Sequence, residues 1–160
     1  DIFNGNAGMA GLKRSNLEGG VHIPLCFYAP GLIPSGRIIS DLVANYDFLP
    51  TVADWLGVSL TTKKDGISYK HVFSPKKHAV PDKKRFVVFG SNTGPAIVSS
   101  DGWKLRYHKR FNAYELFYLP EDPREERNLC NEYPEIANRL KEKLLSECEN
   151  NLQRGVNVAG

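Results

Sequence analysis

The 160-residue sequence has no uninterrupted apolar run of about 18 residues, so no transmembrane helix is expected. Its three cysteines form no Cys-x-x-Cys pair and have no histidine at zinc-ligand spacing, which argues against a zinc site. The net charge is only +3, and no basic stripe is interleaved with aromatic residues. Because nucleic-acid-binding surfaces concentrate positive charge in such stripes, we expect no nucleic-acid partner.

The first half of the chain combines a long loop with two short apolar segments. Residues 1–20 contain five glycines and no apolar periodicity, which is typical of a loop, and long ordered loops are often functional. The run VHIPLCFYA at residues 21–29 predicts a buried strand in which Cys26 behaves as a small hydrophobe. Apolar residues at helical spacing predict a helix over about residues 46–57, and residues 58–84 form a polar connector.

The second half of the chain has the pattern of an antiparallel sheet. Four short strand-like runs are separated by the turn sequences SNTG, SDG and RFNA. These runs lie at residues 85–90, 95–99, 103–109 and 114–119. Pro134 then opens an amphipathic helix that extends to about Asn150. We therefore predict an α/β protein in which residues 85–160 form a small subdomain, a four-stranded antiparallel sheet packed on an amphipathic C-terminal helix.

Several short motifs follow one another along about residues 8–145. Lys13 is followed five residues later by Glu18-Gly19-Gly20, and then by an apolar run that contains a proline. The other motifs are YAPG at residues 28–31, NYDFLPT at 45–51, DGIS at 65–68, WKL at 103–105, ELF at 115–117 and DPREERNL at 122–129. In this order they resemble the C-terminal portion of the sulfatase family, within the alkaline-phosphatase-like superfamily.

The resemblance implies a place for the chain in a larger enzyme. Residues 1–84 would be the C-terminal part of a sulfatase catalytic domain, at the end of its mixed α/β sheet. The family's calcium ion and formylglycine nucleophile would be supplied by the intact parent protein, because this sequence contains neither the Cys/Ser-x-Pro-x-Arg motif nor the Asp/Asn calcium ligands. We assign no metal ligand to the chain itself.

Lys13 is the one residue to which the resemblance gives a catalytic and substrate-binding role. A lysine ammonium is a compact charge with three donors, which suits contact with sulfate oxygens. Glu18 and the glycines after it are expected to shape the turn into the predicted strand, whereas Arg14 and Asn16 are expected to be solvated. His22 stands where the family usually has arginine, so no role is carried over to it.

Three hypotheses of function remain open from the sequence. The first is a C-terminal fragment of a sulfatase that hydrolyses sulfate esters of carbohydrates or aryl groups, and that is inactive without the N-terminal part of the same protein. The second is a non-catalytic glycan-binding or interaction module derived from a sulfatase, and the third is a phosphatase or phosphonate hydrolase relative. Expected partners are a sulfated small molecule or glycan and the missing N-terminal part, and family analogy favours a periplasmic or secreted location.

Overall fold

The computed structural model describes residues 5–74 and 84–153, and the chain divides into two compact units. We call Asp1–Ile23 with Phe86–Gly160 the sheet region, and Pro24–Arg85 the middle region. Positions 75–83 of the predicted connector lie outside the described residues. No helix within the described ranges is long and apolar enough to cross a membrane.

Four short strands form one antiparallel sheet, and their order in the sheet is their order along the chain. They are β1 (Phe86–Phe89), β2 (Ala96–Ser99), β3 (Trp103–His108) and β4 (Ala113–Tyr118). Leu105 of β3 lies opposite Ile97 of β2 and Leu116 of β4. The predicted four-stranded antiparallel sheet is confirmed, because each pair of neighbouring runs is joined by a connection short enough for a hairpin.

The helices of the described residues are few and short. The α-helices are α1 (Glu18–Val21), α2 (Phe48–Leu56) and α3 (Pro134–Glu147), and 3-10 helices lie at Asn45–Asp47 and Lys70–Phe73. The helix predicted over residues 46–57 is therefore present as a 3-10 turn followed by α2. It ends at Gly57, whose φ of 68° provides the left-handed C-cap that a glycine adopts without strain.

One face of the sheet packs on α3 around a closed apolar core. Ile97, Leu105 and Leu116 are fully buried there against Leu140 and Leu144 of α3, which are one helical turn apart. Burying one such side chain stabilises the fold by about 1.5–3 kcal/mol relative to leaving it exposed. The predicted packing of the sheet on an amphipathic C-terminal helix is confirmed, and it makes the sheet a rigid platform.

The opposite face of the sheet is covered by the N-terminal segment of the chain. Side chains alternate along β3, so Lys104 and Arg106 point away from the α3 face. Arg106 donates a hydrogen bond to the side chain of Asn16, and Lys104 donates one to Glu18. Described residues of the N-terminal segment thus pack with the sheet, although the assignment of residues 1–84 to a catalytic domain stays a prediction.

The middle region has a small aromatic core of its own. Tyr69, Val72 and Phe73 are buried, and the rings of Phe27 and Trp55 pack on Phe73 with centroid distances of 4.8 and 4.9 Å. Ring pairs at such distances add about 0.5–1.5 kcal/mol beyond the area that they bury. This cluster gathers segments that are far apart in sequence within the middle region.

The strand predicted at residues 21–29 is wrong. Val21 ends α1, and residues 22–29 form no strand in the described structure. Leu25 is 52% exposed, Tyr28 is 90% exposed, and Cys26, which we expected to be buried, is also exposed. A strand that is apolar on both faces requires neighbouring strands and a cover on each side. Each of the four described strands pairs only with its neighbours in that sheet, so no described strand pairs with this segment.

Candidate functional site

Lys13 lies in a tight turn of the sheet region. The N–H of Ser15 donates to the carbonyl of Leu12 at 3.0 Å, which places Lys13 and Arg14 at the two central positions of the turn. Arg14 has a φ of 78°, which a turn of this kind requires at its third position and which is uncommon for a residue with a side chain. Lys13 is exposed, and no hydrogen bond or ion pair within the described part of the chain engages its ammonium group.

The loop closes behind this turn by contacts that only glycine permits. The N–H of Gly19 donates to the carbonyl of Ala10 at 2.7 Å, which joins the segments before and after the turn. A Cβ atom at position 19 would lie 2.5 Å from the carbonyl oxygen of Gly11. Gly11 itself has a φ of 81°, and a Cβ there would lie 2.3 Å from the Ser15 hydroxyl. The loop therefore has one compact backbone path around Lys13.

Asn16 anchors the loop to the sheet through every polar group of its side chain. Its amide nitrogen donates to the carbonyls of Gly94 and Tyr107, each at 3.1 Å, and its amide oxygen accepts from Arg106 at 3.2 Å. The backbone N–H of Asn16 donates to the hydroxyl of Thr93 at 3.2 Å. Asn16 is fully buried, so the prediction that it is a solvated surface residue is wrong. Burial is tolerated because its donors and acceptor are all satisfied.

A second anchor holds the loop two residues later. The ammonium group of Lys104 on β3 donates to Glu18 Oε1 at 2.8 Å, and the backbone N–H of Glu18 donates to Glu125 Oε2 at 2.6 Å. Lys104 also lies 2.8 Å from Glu125 Oε1, an ion-pair contact without the geometry of a hydrogen bond. Burial raises the pKa of Glu125, and the nearby Lys104 charge opposes that rise. Glu18 thus fastens the loop as well as beginning α1.

The sequence pattern does not predict that Lys104 and Glu125 contact the loop that carries Lys13. Lys104 alternates with Trp103 and Leu105 along β3, a pattern that predicts a lysine facing solvent. No sequence signal indicates that an N-terminal loop covers that face. For Asn16 and Glu18, the sequence offers one indication of a role at the site, which is that both lie within five residues of Lys13.

Other motif residues in the described structure stabilise turns. Asp47 is fully buried, and its carboxylate accepts from the backbone N–H groups of Ala44 and Ile67 and pairs with Arg85. Asn128 accepts from the backbone N–H groups of Leu116 and Cys130, each at 3.1 Å. These contacts hold the backbone of the two motifs in place.

The middle region also contains a groove with a volume of about 440 Å³. Trp55 and Phe73 contribute its apolar lining, and Asp54 and Lys70 contribute charge. Hydrogen bonds from Ser68 and Lys70 lower the pKa of Asp54. The Asp54 carboxylate pairs with the Lys70 ammonium, so the positive charge of Lys70 is already neutralised and is not available to bind an anionic ligand.

Within residues 5–74 and 84–153, no three His, Cys, Asp or Glu side chains are grouped so that they could hold a metal ion. The buried carboxylates described above are bound to lysine, arginine or backbone N–H groups. These described residues therefore do not fit a calcium site. The presence of calcium in a parent protein stays a prediction.

Comparison with known proteins relates the chain to the family described as N-sulphoglucosamine sulphohydrolase, C-terminal, whose model matches residues 11–150. Arylsulfatase K of Danio rerio is 30% identical over 142 residues, which cover 84% of this chain and 27% of the relative. The chain thus spans about a quarter of the length of curated relatives that it matches.

Two solved structures share the fold. A 6S-sulfatase structure associated with glycosaminoglycan metabolism by Bacteroides thetaiotaomicron superposes with a TM-score of 0.75 at 22% identity, covering 91% of this chain and 33% of its own. A second structure, in complex with its substrate D-glucosamine-2-N,6-O-disulfate, superposes with a TM-score of 0.61 at 22% identity. It covers 82% of this chain and 29% of its own.

Proposed function

The chain belongs to the sulfatases, through the family of N-sulphoglucosamine sulphohydrolase C-terminal domains, and on this premise we propose that it completes an enzyme that hydrolyses sulfate esters. The relatives that it matches include proteins named arylsulfatases, and the fold agrees with that of solved sulfatases. Because the chain spans only about a quarter of such relatives, the proposed activity belongs to a longer protein of which this chain is the C-terminal part.

Lys13 is the residue of this chain that we propose to contact the sulfate group. The observation that carries the proposal is the contrast between the exposed Lys13 side chain and two anchored residues on the same loop, the buried Asn16 and the largely covered Glu18. Asn16 and Glu18 are both fastened to the sheet within five residues of Lys13. A cation held on an ordered loop, with no internal partner in the described structure, is arranged to bind an anion from outside.

The chemistry of sulfate ester hydrolysis gives such a cation a direct effect on rate. Negative charge grows on the leaving-group oxygen and is redistributed over the sulfuryl oxygens as the S–O bond breaks. A donor already in position stabilises this charge without further reorganisation. The ammonium of Lys13 can donate to a non-bridging oxygen and to the bridging oxygen together, because its three N–H bonds diverge from one nitrogen. The nucleophile would come from the rest of the protein.

The substrate class that we propose is a sulfated carbohydrate or an aryl sulfate. One structural neighbour binds a disulfated glucosamine, and curated relatives carry the name arylsulfatase. Exposed residues next to Lys13 in its turn are Leu12 and Arg14, one apolar and one cationic. An apolar contact beside two positive charges is compatible with a ring that carries a sulfate group.

We also propose that the middle region contacts the N-terminal part of the same protein. Large apolar side chains are exposed on several of its segments. They include Leu25, Tyr28, Leu32, Ile38, Phe48, Leu49, Leu56 and Ile67. An exposed apolar surface of this kind marks a contact with other protein. Because the chain spans only about a quarter of the matched relatives, the remainder of the parent protein is the partner that we propose to cover this surface.

The test of the Lys13 assignment uses the intact protein that contains this chain. Lys13→Ala is assayed with an aryl sulfate beside Lys64→Ala, which removes another exposed lysine. Loss of one positioned donor lowers kcat by a factor of about 10²–10³. The kcat of the Lys13→Ala enzyme should therefore fall by that factor, and the kcat of the Lys64→Ala enzyme should stay near the wild-type value. A Lys13→Ala enzyme within about threefold of wild type in kcat and KM would return Lys13 to the class of ordinary surface lysines.

Parallel assays separate the alternative functions. An aryl phosphate and an aryl phosphonate offered to the same intact protein distinguish a sulfatase from a phosphatase or phosphonate hydrolase. A larger kcat/KM for the sulfate supports our proposal, and a larger value for either phosphorus ester opposes it. Binding of a sulfated glycan without any turnover would favour the non-catalytic module.

A further inference from the structure

Three motifs that are distant in sequence meet in one buried charge cluster. Glu18 follows the Lys13 turn, Lys104 lies on β3, and Glu125 lies in the DPREERNL segment after β4. The side chains of Lys104 and Glu125 are fully buried, and that of Glu18 is 14% exposed. The ring of Phe89 lies 5.6 Å from the Lys104 ammonium, so an aromatic face encloses the cluster on one side.

Stability alone is a poor explanation for this cluster. Charges that leave water lose their hydration, and replacing a buried ion pair by apolar side chains of similar size is often neutral or stabilising. Here two carboxylates share one lysine, and burial raises the pKa of Glu125. The hydrogen bonds of this cluster, however, constrain the positions of its groups, because each one requires a short distance and a favourable angle.

The geometry that the cluster selects is that of the loop carrying Lys13. Glu18 is held twice, by Lys104 at its side chain and by Glu125 at its backbone N–H. The next residue, Gly19, donates its N–H to the carbonyl of Ala10 on the other side of the turn. A displacement of Glu18 would therefore also move Gly19 and, through its hydrogen bond, Ala10, the residues that flank the segment containing Lys13.

We propose that Lys104 and Glu125 are positioning residues, which hold Glu18 and thereby place Lys13 where it meets the sulfate group. This inference rests on the function proposed for Lys13 above. Neither residue needs to touch the substrate, since both act through Glu18 and the closed loop. The cluster thus gives the WKL and DPREERNL motifs a shared task that neither sequence pattern indicates.

The experiment replaces the cluster in the intact protein and follows hydrolysis of an aryl sulfate. Lys104→Met keeps length but removes charge, Glu125→Gln keeps shape, and the two are also combined. Lys143→Met, which breaks the exposed ion pair with Glu147 in the same region, is the matched control. Moving a catalytic group by about 1 Å can lower the rate by up to about 10²-fold. We therefore expect kcat of the cluster variants to fall about 10–100-fold, with little change in KM. Unchanged kcat in all cluster variants would overturn the proposal.

A double-mutant cycle distinguishes positioning from general damage. If Lys104 acts through Lys13, Lys104→Met should lower kcat much less in a Lys13→Ala background than in wild type. Equal losses in the two backgrounds would show an independent structural effect and would overturn the proposal. Lys104→Arg, which keeps the charge, should recover part of the loss, and this variant and Glu18→Gln repeat the cycle if Lys104→Met does not fold.

The same cycle keeps the two proposals apart. A Lys13→Ala enzyme with wild-type kcat would contradict the role of Lys13, and the positioning inference would then fall with it. A strong effect of Lys13→Ala together with wild-type kcat for Lys104→Met and Glu125→Gln would leave the proposed function intact. That second outcome overturns the positioning inference alone.

Discussion

The sheet region and the middle region differ in where their large apolar side chains lie. Among the described residues, eleven of the fifteen buried apolar residues belong to the sheet region, and eleven of the fifteen exposed large ones belong to the middle region. Both regions contain apolar segments of similar length in the sequence. Apolar sequence is therefore not sufficient for a core, because a partner must also be within reach of the chain.

The two regions differ in whether a strand finds a pairing partner close to it along the chain. Each strand of the sheet region pairs with the strand next to it along the chain, so its neighbours arrive through hairpin connections. Residues 24–29 of the middle region are largely apolar, yet no described strand pairs with them. Strand pairing therefore accompanies apolar burial in the sheet region, whereas many large apolar side chains of the middle region are exposed in the described structure.

The strongest test of this contrast is the activity of the 160-residue chain alone. We predict that it does not hydrolyse an aryl sulfate, with or without added calcium, because its sequence lacks the nucleophile motif and its described residues form no metal site. The intact parent protein provides the positive control and a heat-treated chain the background. Turnover above that background would show that the chain carries a complete catalytic centre.

A matched pair of leucine substitutions tests the contrast in stability. Leu105 is fully buried in the sheet core and Leu25 is exposed, so Leu105→Ala should cost about 2–5 kcal/mol and Leu25→Ala less than about 0.5 kcal/mol. Urea unfolding of the 160-residue chain, monitored by circular dichroism, measures both. Similar costs for the two variants would mean that Leu25 is packed in solution and that the regions do not differ as described.

A matched pair of aspartates tests whether the middle region has some order of its own. Asp47 is buried and accepts from two backbone N–H groups, so Asp47→Ala should destabilise the chain by about 1–3 kcal/mol. Asp54 is exposed, and its replacement by alanine should leave the unfolding midpoint almost unchanged. If Asp47→Ala were equally silent, the turn around Asp47 would not form in the isolated chain.

The smallest predicted effect concerns the pH dependence of Glu125. Its pKa in the folded chain is raised above the ordinary value of 4.5 by burial, so the folded state keeps the proton to higher pH than the unfolded state. Stability attributable to Glu125 is therefore full below about pH 4.5 and decreases as the pH rises through the raised pKa. Carbon-13 NMR of carboxyls labelled in both glutamate and aspartate, assigned with Glu125→Gln and Asp54→Asn, should show Glu125 titrating above its ordinary pKa.

The exposed Asp54 provides the opposite case within the same titration. Its pKa is lowered by hydrogen bonds from Ser68 and Lys70, so its contribution to stability is present above the ordinary value of 3.8 and is lost as the pH falls through the lowered pKa. A Glu125 carboxyl that titrates at or below 4.5 would contradict the burial of the cluster. An Asp54 carboxyl that titrates at or above 3.8 would contradict its pairing.

Local patterns were sufficient to predict most of the secondary structure. The alternation and turn residues of residues 85–119 predicted the four strands, and Pro134 with leucines at helical spacing predicted α3. Gly57 marked the end of α2. These features depend on contacts between near neighbours in sequence, which is the information that periodicity and turn chemistry contain. The ordered motifs likewise indicated the sulfatase family before any fold was known.

Tertiary structure alone decided which of these segments would find partners. The run at residues 21–29 has the composition of a buried strand, but a strand exists only where a neighbour supplies its hydrogen bonds. Asn16 is a polar residue of a type usually found at the surface. It is buried here because carbonyl groups and a guanidinium group from distant segments form hydrogen bonds with its side chain. The sequence determined Lys13 as the candidate sulfate-binding residue. Only the folded chain brought Lys104 and Glu125 to Glu18, because buried charges depend on groups 86 and 107 residues away along the chain.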